Sequence, residues 1–269
     1  MTPLTGKAAK FLSLHTPGDP VLQPNAFDAG SARVLASMGF KAIATTSSGF
    51  AATLGRLDGA AGRDDTLAHC RALAAAVDIP VAADTENAFA DDPAGVAATV
   101  TAATATGLAG CSVEDWSGTE TYDIGLATER IAAAAEAAHT GTTQLVLTAR
   151  ADVLLRGSDL DDAMRRVVAY QDAGADVLFV PGLTSIEQVR RIVGETDRPV
   201  NVLATANCPP VAELAEAGVA RISIGGALAY VAYSAVIDAA TELRDAGTSG
   251  YWAQVAKARD VVRSALGAT

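Results

Sequence analysis

Chemistry-bearing side chains are scarce in this chain of 269 residues, and each shortage excludes something. The three cysteines, Cys70, Cys111 and Cys208, are an odd number without metal-type spacing, which argues for a reducing cytoplasm and against a disulfide framework. The three histidines, His15, His69 and His139, fall in the N-terminal segment or in helix-like stretches. A three-histidine zinc site and a histidine general base are therefore not expected. The four lysines, Lys7, Lys10, Lys41 and Lys257, all miss the ends of strand-like runs, which removes the desolvated amine a Schiff-base aldolase needs. No P-loop occurs, and no glycine-rich fingerprint follows the first strand, so no nucleotide site is indicated. Positive charge is short as well: 20 Lys and Arg stand against 31 Asp and Glu, a net charge of −11. That balance gives no basic surplus for nucleic acid or an anionic membrane. No apolar run reaches the roughly 18 residues of a membrane span. The opening stretch MTPLTGKAAKFLSLH lacks a long apolar core before a small-residue cleavage site, so a cytoplasmic protein is expected.

What is abundant is apolar: 50% of residues are hydrophobic and 19% charged, the balance of a folded globular chain. Eight short β-rich runs can be marked, near Val21, Lys41, Ile79, Gly110, Gln144, Asp176, Pro199 and Ala220. Segments of helical period separate them: 29–38, 65–76, 93–106, 126–138, 159–173, 185–193 and 211–217. Asp92 before Pro93 is a helix-start signal, and Gly39, Gly107, Gly174 and Gly218 fall where helices stop. Strands alternating with helices pair in parallel through right-handed crossovers. A doubly wound sheet shares that alternation, but eight units favour an α/β fold closed as a (β/α)8 barrel of TIM type. One domain, 1–269, is expected, with two Ala-rich helices in 227–269.

Active sites of such barrels lie where strands end. The runs end in Ser47, Ser48 and Gly49 (strand two), Asp84 and Glu86 (strand three), Glu114 and Asp115 (strand four), Arg150 and Asp152 (strand five), and Asn207 and Cys208 (strand seven). In IPVAADTENAF, Asp84 and Glu86 share one face by the period of two, so their repulsion calls for an offsetting cation. With Glu114, and with Asp58 and Asp115 near in sequence, they form an oxygen-only set that favours Mg²⁺ or Mn²⁺ over zinc. The plainer alternative is that Asp84 caps a loop while Glu114 pairs with Arg150. Arg150 suits a carboxylate, either a substrate's or that of Glu114. The amides of Gly49 and Phe50 could meet a developing oxyanion, or TTSSGF could be only a tight turn. Gly225-Gly226 fits either a phosphate cradle or close helix packing.

The ordered set TTSSGF, LGRLDG, ADTENAF, GCSVED and LTARAD resembles the isocitrate lyase and phosphoenolpyruvate mutase superfamily over about 25–226. The resemblance implies a 2-oxo acid, or a compound yielding one, with Mg²⁺ on its carboxylate and carbonyl as an enolate forms. It implies Asp84 as the main metal ligand, with Glu86 and Glu114 reaching the metal through water. Ser48 and Gly49 correspond to the substrate-binding pair; Ser47, Phe50 and Asn207, placed by the strand ends, are expected to bind substrate beside them. Arg150 corresponds to the carboxylate-binding arginine and Asp58 to the acid of a mobile gating loop. The chain departs from the family at EDWSGTETYDIG (114–125), which has neither the lyase loop's cysteine nor the mutase's longer phosphoryl-contacting loop.

The leading expectation is a Mg²⁺-dependent lyase that breaks a C–C bond of a small 2-oxo or 2-hydroxy carboxylic acid, with Mn²⁺ as a possible substitute. Phosphonopyruvate-type P–C chemistry and a non-catalytic metal- or ligand-binding barrel are the alternatives. GGALAYVAYSAVIDAATEL is apolar on more than one face, and the family exchanges its final helices, so a homo-oligomer, dimer or tetramer, is expected.

Overall fold

A computed structural model describes residues 4–267. Its strands are β1 (Val21–Gln23), β2 (Ile43–Ala44), β3 (Val81–Asp84), β4 (Gly110–Glu114), β5 (Val146–Arg150), β6 (Val177–Phe179), β7 (Val200–Leu203) and β8 (Arg221–Ser223). All pair in parallel in the order β1-β8-β7-β6-β5-β4-β3-β2. A bridge between Asn25 and Ala44 joins β1 to β2, so the sheet meets itself as a (β/α)8 barrel.

The surrounding helices are α1 (Gly6–Leu12), α2 (Ala29–Ser37), α3 (Ser47–Thr53), α4 (Arg63–Ala76), α5 (Pro93–Thr104), α6 (Ile124–His139), α7 (Leu160–Asp172), α8 (Ile186–Gly194) and α9 (Val211–Glu216). Two further helices, α10 (Ala227–Ala246) and α11 (Trp252–Gly267), follow the last strand. Asp92 caps α5 through the Gly95 amide at 2.9 Å, with Pro93 opening the helix as its sequence indicates. Gly39, Gly107, Gly174 and Gly218 all have positive φ (90°, 86°, 107° and 87°), the left-handed turn that ends a helix at low cost in glycine.

Three elements are not legible in the periodicity: α1, α3 and a 3₁₀ turn at Val153–Arg156. The second strand was expected to run on through TTSSGF. Instead it ends at Ala44, because the Thr46 side chain accepts from the Gly49 amide and starts α3. The first helix closes the N-terminal end of the barrel. Its Ala8 and Phe11, both fully buried, pack with Val21, Ala42, Ala82, Ala109, Val146 and Val177. The larger core fills the space between the strands and the outer helices, built from residues such as Leu73, Leu108, Leu147 and Ile192. Among the described residues no helix is long and apolar enough to cross a membrane.

Candidate active site

The other end of the barrel opens into a cavity of about 610 Å³. Ser47, Ser48, Asp58, Asp84, Glu86, Glu114 and Arg150 all line it. Asp84 is the last residue of β3. Glu86, expected to share its face by strand alternation, lies beyond the strand with φ 49°, and so meets Asp84 through a loop. The Asp84 carboxylate accepts from the Ser47 amide (3.2 Å) and the Glu86 amide (3.3 Å), while its own amide donates to Thr45 Oγ1 at 2.9 Å. Asp58 is exposed on the loop after α3, and Gly59 next to it lies close to the Glu86 carboxylate.

Arg150 ties the acids together. Its Nη1 is 2.9 Å from Glu114 Oε2 and 4.0 Å from Asp84 Oδ1. Its Nε and Nη2 clasp both oxygens of the fully buried Asp152. Burial opposes the Arg150 charge, but Glu114, Asp152 and Asp84 outweigh it and hold the guanidinium above its usual range. Burial pushes the Glu114 carboxyl well up despite Arg150, with Asp152, Asp84 and Glu86 adding repulsion. Glu86 is raised to about 7, by burial first and then by Asp84 and Asp58. Positive charge is thus in deficit around Asp84 and Glu86.

The loop carrying Glu86 is strained. Glu86, Ala88 and Phe89 all have positive φ (49°, 60° and 56°), a region that costs a residue with a Cβ on the order of 1–2 kcal/mol. Arg130 of α6, which sequence reasoning passed over as an ordinary helix residue, holds it in place. Its Nη2 donates to the carbonyls of Asn87 (2.6 Å) and Ala90 (2.9 Å), and its Nη1 to the Glu114 carbonyl at 3.2 Å. The guanidinium also lies 3.8 Å over the Tyr122 ring, whose hydroxyl donates to Asp91 at 2.5 Å. One buried cation therefore positions the loops after both β3 and β4. A lone arginine inside the Ala-rich ERIAAAAEAA gives little sequence signal for this. Asp115 plays a similar structural part, accepting from the Asp152 amide (2.7 Å), Arg166 (3.0 Å) and Tyr170 (2.6 Å).

Other expected site residues lie elsewhere. Asn207 is exposed and outside the cavity. The Gly49 amide donates to Thr46 Oγ1 and the Phe50 amide to the Thr46 carbonyl, so α3 consumes the donors expected to serve an oxyanion. The Phe50 side chain stacks on His69 with ring centroids 3.9 Å apart. A Cβ at Gly226 would meet the Ser48 hydroxyl and Tyr230, so the glycine permits close packing there, and Gly225 and Gly226 both line the cavity. The Cys208 thiol is held above its usual range by burial. Among the described residues, no three His, Cys, Asp or Glu side chains are gathered closely enough to hold a metal ion. The expected ligands Asp84, Glu86 and Glu114 form a loose ring with Arg150 between two of them. Such a ring fits Mg²⁺, which takes one or two protein carboxylates directly and keeps several waters.

The family model described as phosphoenolpyruvate phosphomutase matches residues 11–244. A solved Burkholderia cenocepacia protein, named only as a lyase or mutase, is 44% identical, with a TM-score of 0.90 over 96% of this chain and 94% of that one. The 2,3-dimethylmalate lyase of Eubacterium barkeri is 29% identical over 90% of this chain and 88% of its own. Oxaloacetate acetylhydrolase, solved with its product oxalate, is 26% identical, with a TM-score of 0.85 over 96% of this chain and 94% of that one.

Proposed function

This chain belongs to the phosphoenolpyruvate phosphomutase family of the isocitrate lyase superfamily, and from that premise we propose that it is a Mg²⁺-dependent carbon–carbon lyase. Its substrate class is a small 2-oxo or 2-hydroxy carboxylic acid, and Mn²⁺ is an admissible substitute. The observation that carries the reading is the pair of raised carboxyls, Glu86 and Glu114, beside Asp84 and Arg150 in one cavity. Buried acids that resist ionisation mark a place where a cation would be welcome.

Asp84 would hold the ion directly, with Glu86 and Glu114 reaching it through water. When bound there, the ion would supply positive charge to stabilise a developing enolate. Arg150 holds and orients the substrate carboxylate in place of part of its contact with Glu114. The Ser47 and Ser48 side chains line the same cavity and position the substrate's polar end. In a 2-hydroxy acid the hydroxyl loses its proton to water and becomes the carbonyl of one fragment as the C–C bond breaks. The electron pair left on the carbon of the other fragment takes a proton from Asp58 or a water it orients. Because the stretch 114–125 lacks the mutase's longer phosphoryl-contacting loop, the C–C reading is preferred to P–C chemistry.

Large apolar side chains stand exposed on α10 and α11, among them Tyr230, Val231, Ile237, Trp252 and Val261. We assign that face to a second copy of the chain, and sedimentation should give a dimer or larger.

The test is calorimetric titration of Mg²⁺ with and without oxalate. Each is expected to tighten the other at least tenfold in the native protein, and Asp84→Ala is expected to lose both effects. Unchanged Mg²⁺ affinity in Asp84→Ala would sink the reading. Asp58→Asn should keep ligand affinity and lose turnover, and retained turnover would remove Asp58 from the proton path.

A further inference from the structure

Below the acid ring the same cavity holds a second arginine that the mechanism leaves unused. Arg221 begins β8 and is 4% exposed, with its side chain inside the barrel. Its Nη2 donates to Thr148 Oγ1 at 3.1 Å, and its Nη1 lies 3.3 Å from His15 Nε2. Its Nε has no hydrogen-bond partner among the described residues. No carboxylate among the described residues offsets its charge, and burial alone pulls its pKa down to about 9. Arg150, by contrast, is surrounded by three carboxylates.

Asn201, the register partner of Arg221, is fully buried and also lines the cavity. Its Nδ2 donates to Ser223 Oγ at 3.0 Å, and its Oδ1 has no partner among the described residues. Rotating that amide by half a turn lets the Ser223 hydroxyl donate to Oδ1 and frees both N–H donors for a ligand. Thr148, which anchors Arg221, precedes Arg150 by two residues on β5 and shares its face, so the two levels are roughly 6–7 Å apart. A five-carbon diacid spans that distance. An uncompensated guanidinium inside a barrel is costly, and an anion would offset the cost.

We propose that Arg221 and Asn201 form a floor subsite that takes the distal carboxylate of a 2-oxo or 2-hydroxy dicarboxylic acid whose other end lies at Arg150. This rests on the lyase reading for the near end and narrows its substrate class to diacids. The competing role for Arg221 is purely structural, tying the His15 segment to the barrel.

Calorimetry in saturating Mg²⁺ with three probes separates the two roles. Oxalate is too short to reach the floor, 2-oxopentanoate reaches it without charge, and 2-oxoglutarate reaches it with a carboxylate. The native protein should bind 2-oxoglutarate at least about tenfold more tightly than 2-oxopentanoate, the worth of a charge-assisted hydrogen bond. In Arg221→Gln that ratio should fall to about one while oxalate affinity stays within about threefold, and Arg221→Lys should restore part of it. A ratio near one in the native protein, with oxalate bound, overturns the floor subsite alone and needs no variant. A ratio that survives in Arg221→Gln also overturns it. Failure of oxalate to bind the native protein overturns the lyase reading, and the diacid assignment falls with it.

Discussion

The two ends of this barrel are built from the same eight strands and solve opposite problems. At the N-terminal end, Phe11 of α1 and small aliphatic residues close the barrel with apolar contact. At the C-terminal end, Asp84, Glu86, Glu114 and Arg150 line an open cavity, and one loop carries three residues with positive φ. Burial at the first end lowers the free energy of the fold, whereas at the second it raises the carboxyls of Glu86 and Glu114. Apolar burial thus stabilises the closed end, whereas the open end holds raised carboxyls and a strained loop that Arg150 and Arg130 offset only in part. That division is the one (β/α)8 enzymes follow.

Breaking the closed end should have the largest effect. Phe11→Ala removes a fully buried ring, and its expected cost is about 3–5 kcal/mol. Oxalate and Mg²⁺ affinity, measured where the variant is still folded, should stay within about twofold. Denaturant unfolding with parallel calorimetry checks this, and a loss of affinity equal to the loss of stability would show that the two ends are not separable. Next comes the support of the open end. Arg130→Met keeps an unbranched apolar stem and deletes the bonds to three carbonyls. It should cost about 2–3 kcal/mol and weaken Mg²⁺ binding by roughly tenfold, because it frees the loop that carries Glu86. A stability loss with unchanged Mg²⁺ affinity would make Arg130 a packing residue only.

The alternation of strands and helices made the barrel and its order legible in the sequence, as did Asp92-Pro93 and the four helix-ending glycines. The strand-end rule brought Asp84, Glu86, Glu114, Arg150, Ser47 and Ser48 to one cavity, and the family resemblance added Asp58. It misplaced Asn207, because β7 ends at Leu203 and the residues beyond it turn out to solvent. It misread the amides of Gly49 and Phe50, because a threonine cap turned a strand end into a helix. Arg130 and Arg221 escaped altogether. Each acts through distant partners: carbonyls of other loops for Arg130, and a histidine 206 residues away for Arg221. No local pattern carries such contacts.

The smallest effect sharpens the contrast most, because acid acts on the two ends with opposite sign. His15 at the closed end is buried, and its pKa is lowered from 6.5 to about 3, by burial first and by Arg221 second. The unfolded chain therefore takes up a proton below pH 6.5 that the folded one refuses. Stability from His15 is complete above pH 6.5 and falls toward pH 3, by at most about 1.4 kcal/mol per pH unit. Glu86 at the open end is raised from 4.5 to about 7, so its folded form holds a proton that the unfolded chain releases. Its contribution is complete below pH 4.5 and is lost as pH rises through 7. Between pH 4.5 and 6.5 the two oppose each other, with the raised Glu114 on the side of Glu86 and His69, lowered to about 4 by burial, on the side of His15. His15→Gln should remove one of these two opposing histidines, so that the variant gains thermal stability relative to the native protein as pH falls from 7 to 5. Mg²⁺ competes with the Glu86 proton, so its affinity should weaken below pH 7 in both proteins by up to tenfold per pH unit. Melting curves and Mg²⁺ titrations across that range read the two ends separately. A His15→Gln profile parallel to the native one would mean that the closed end does not respond to acid.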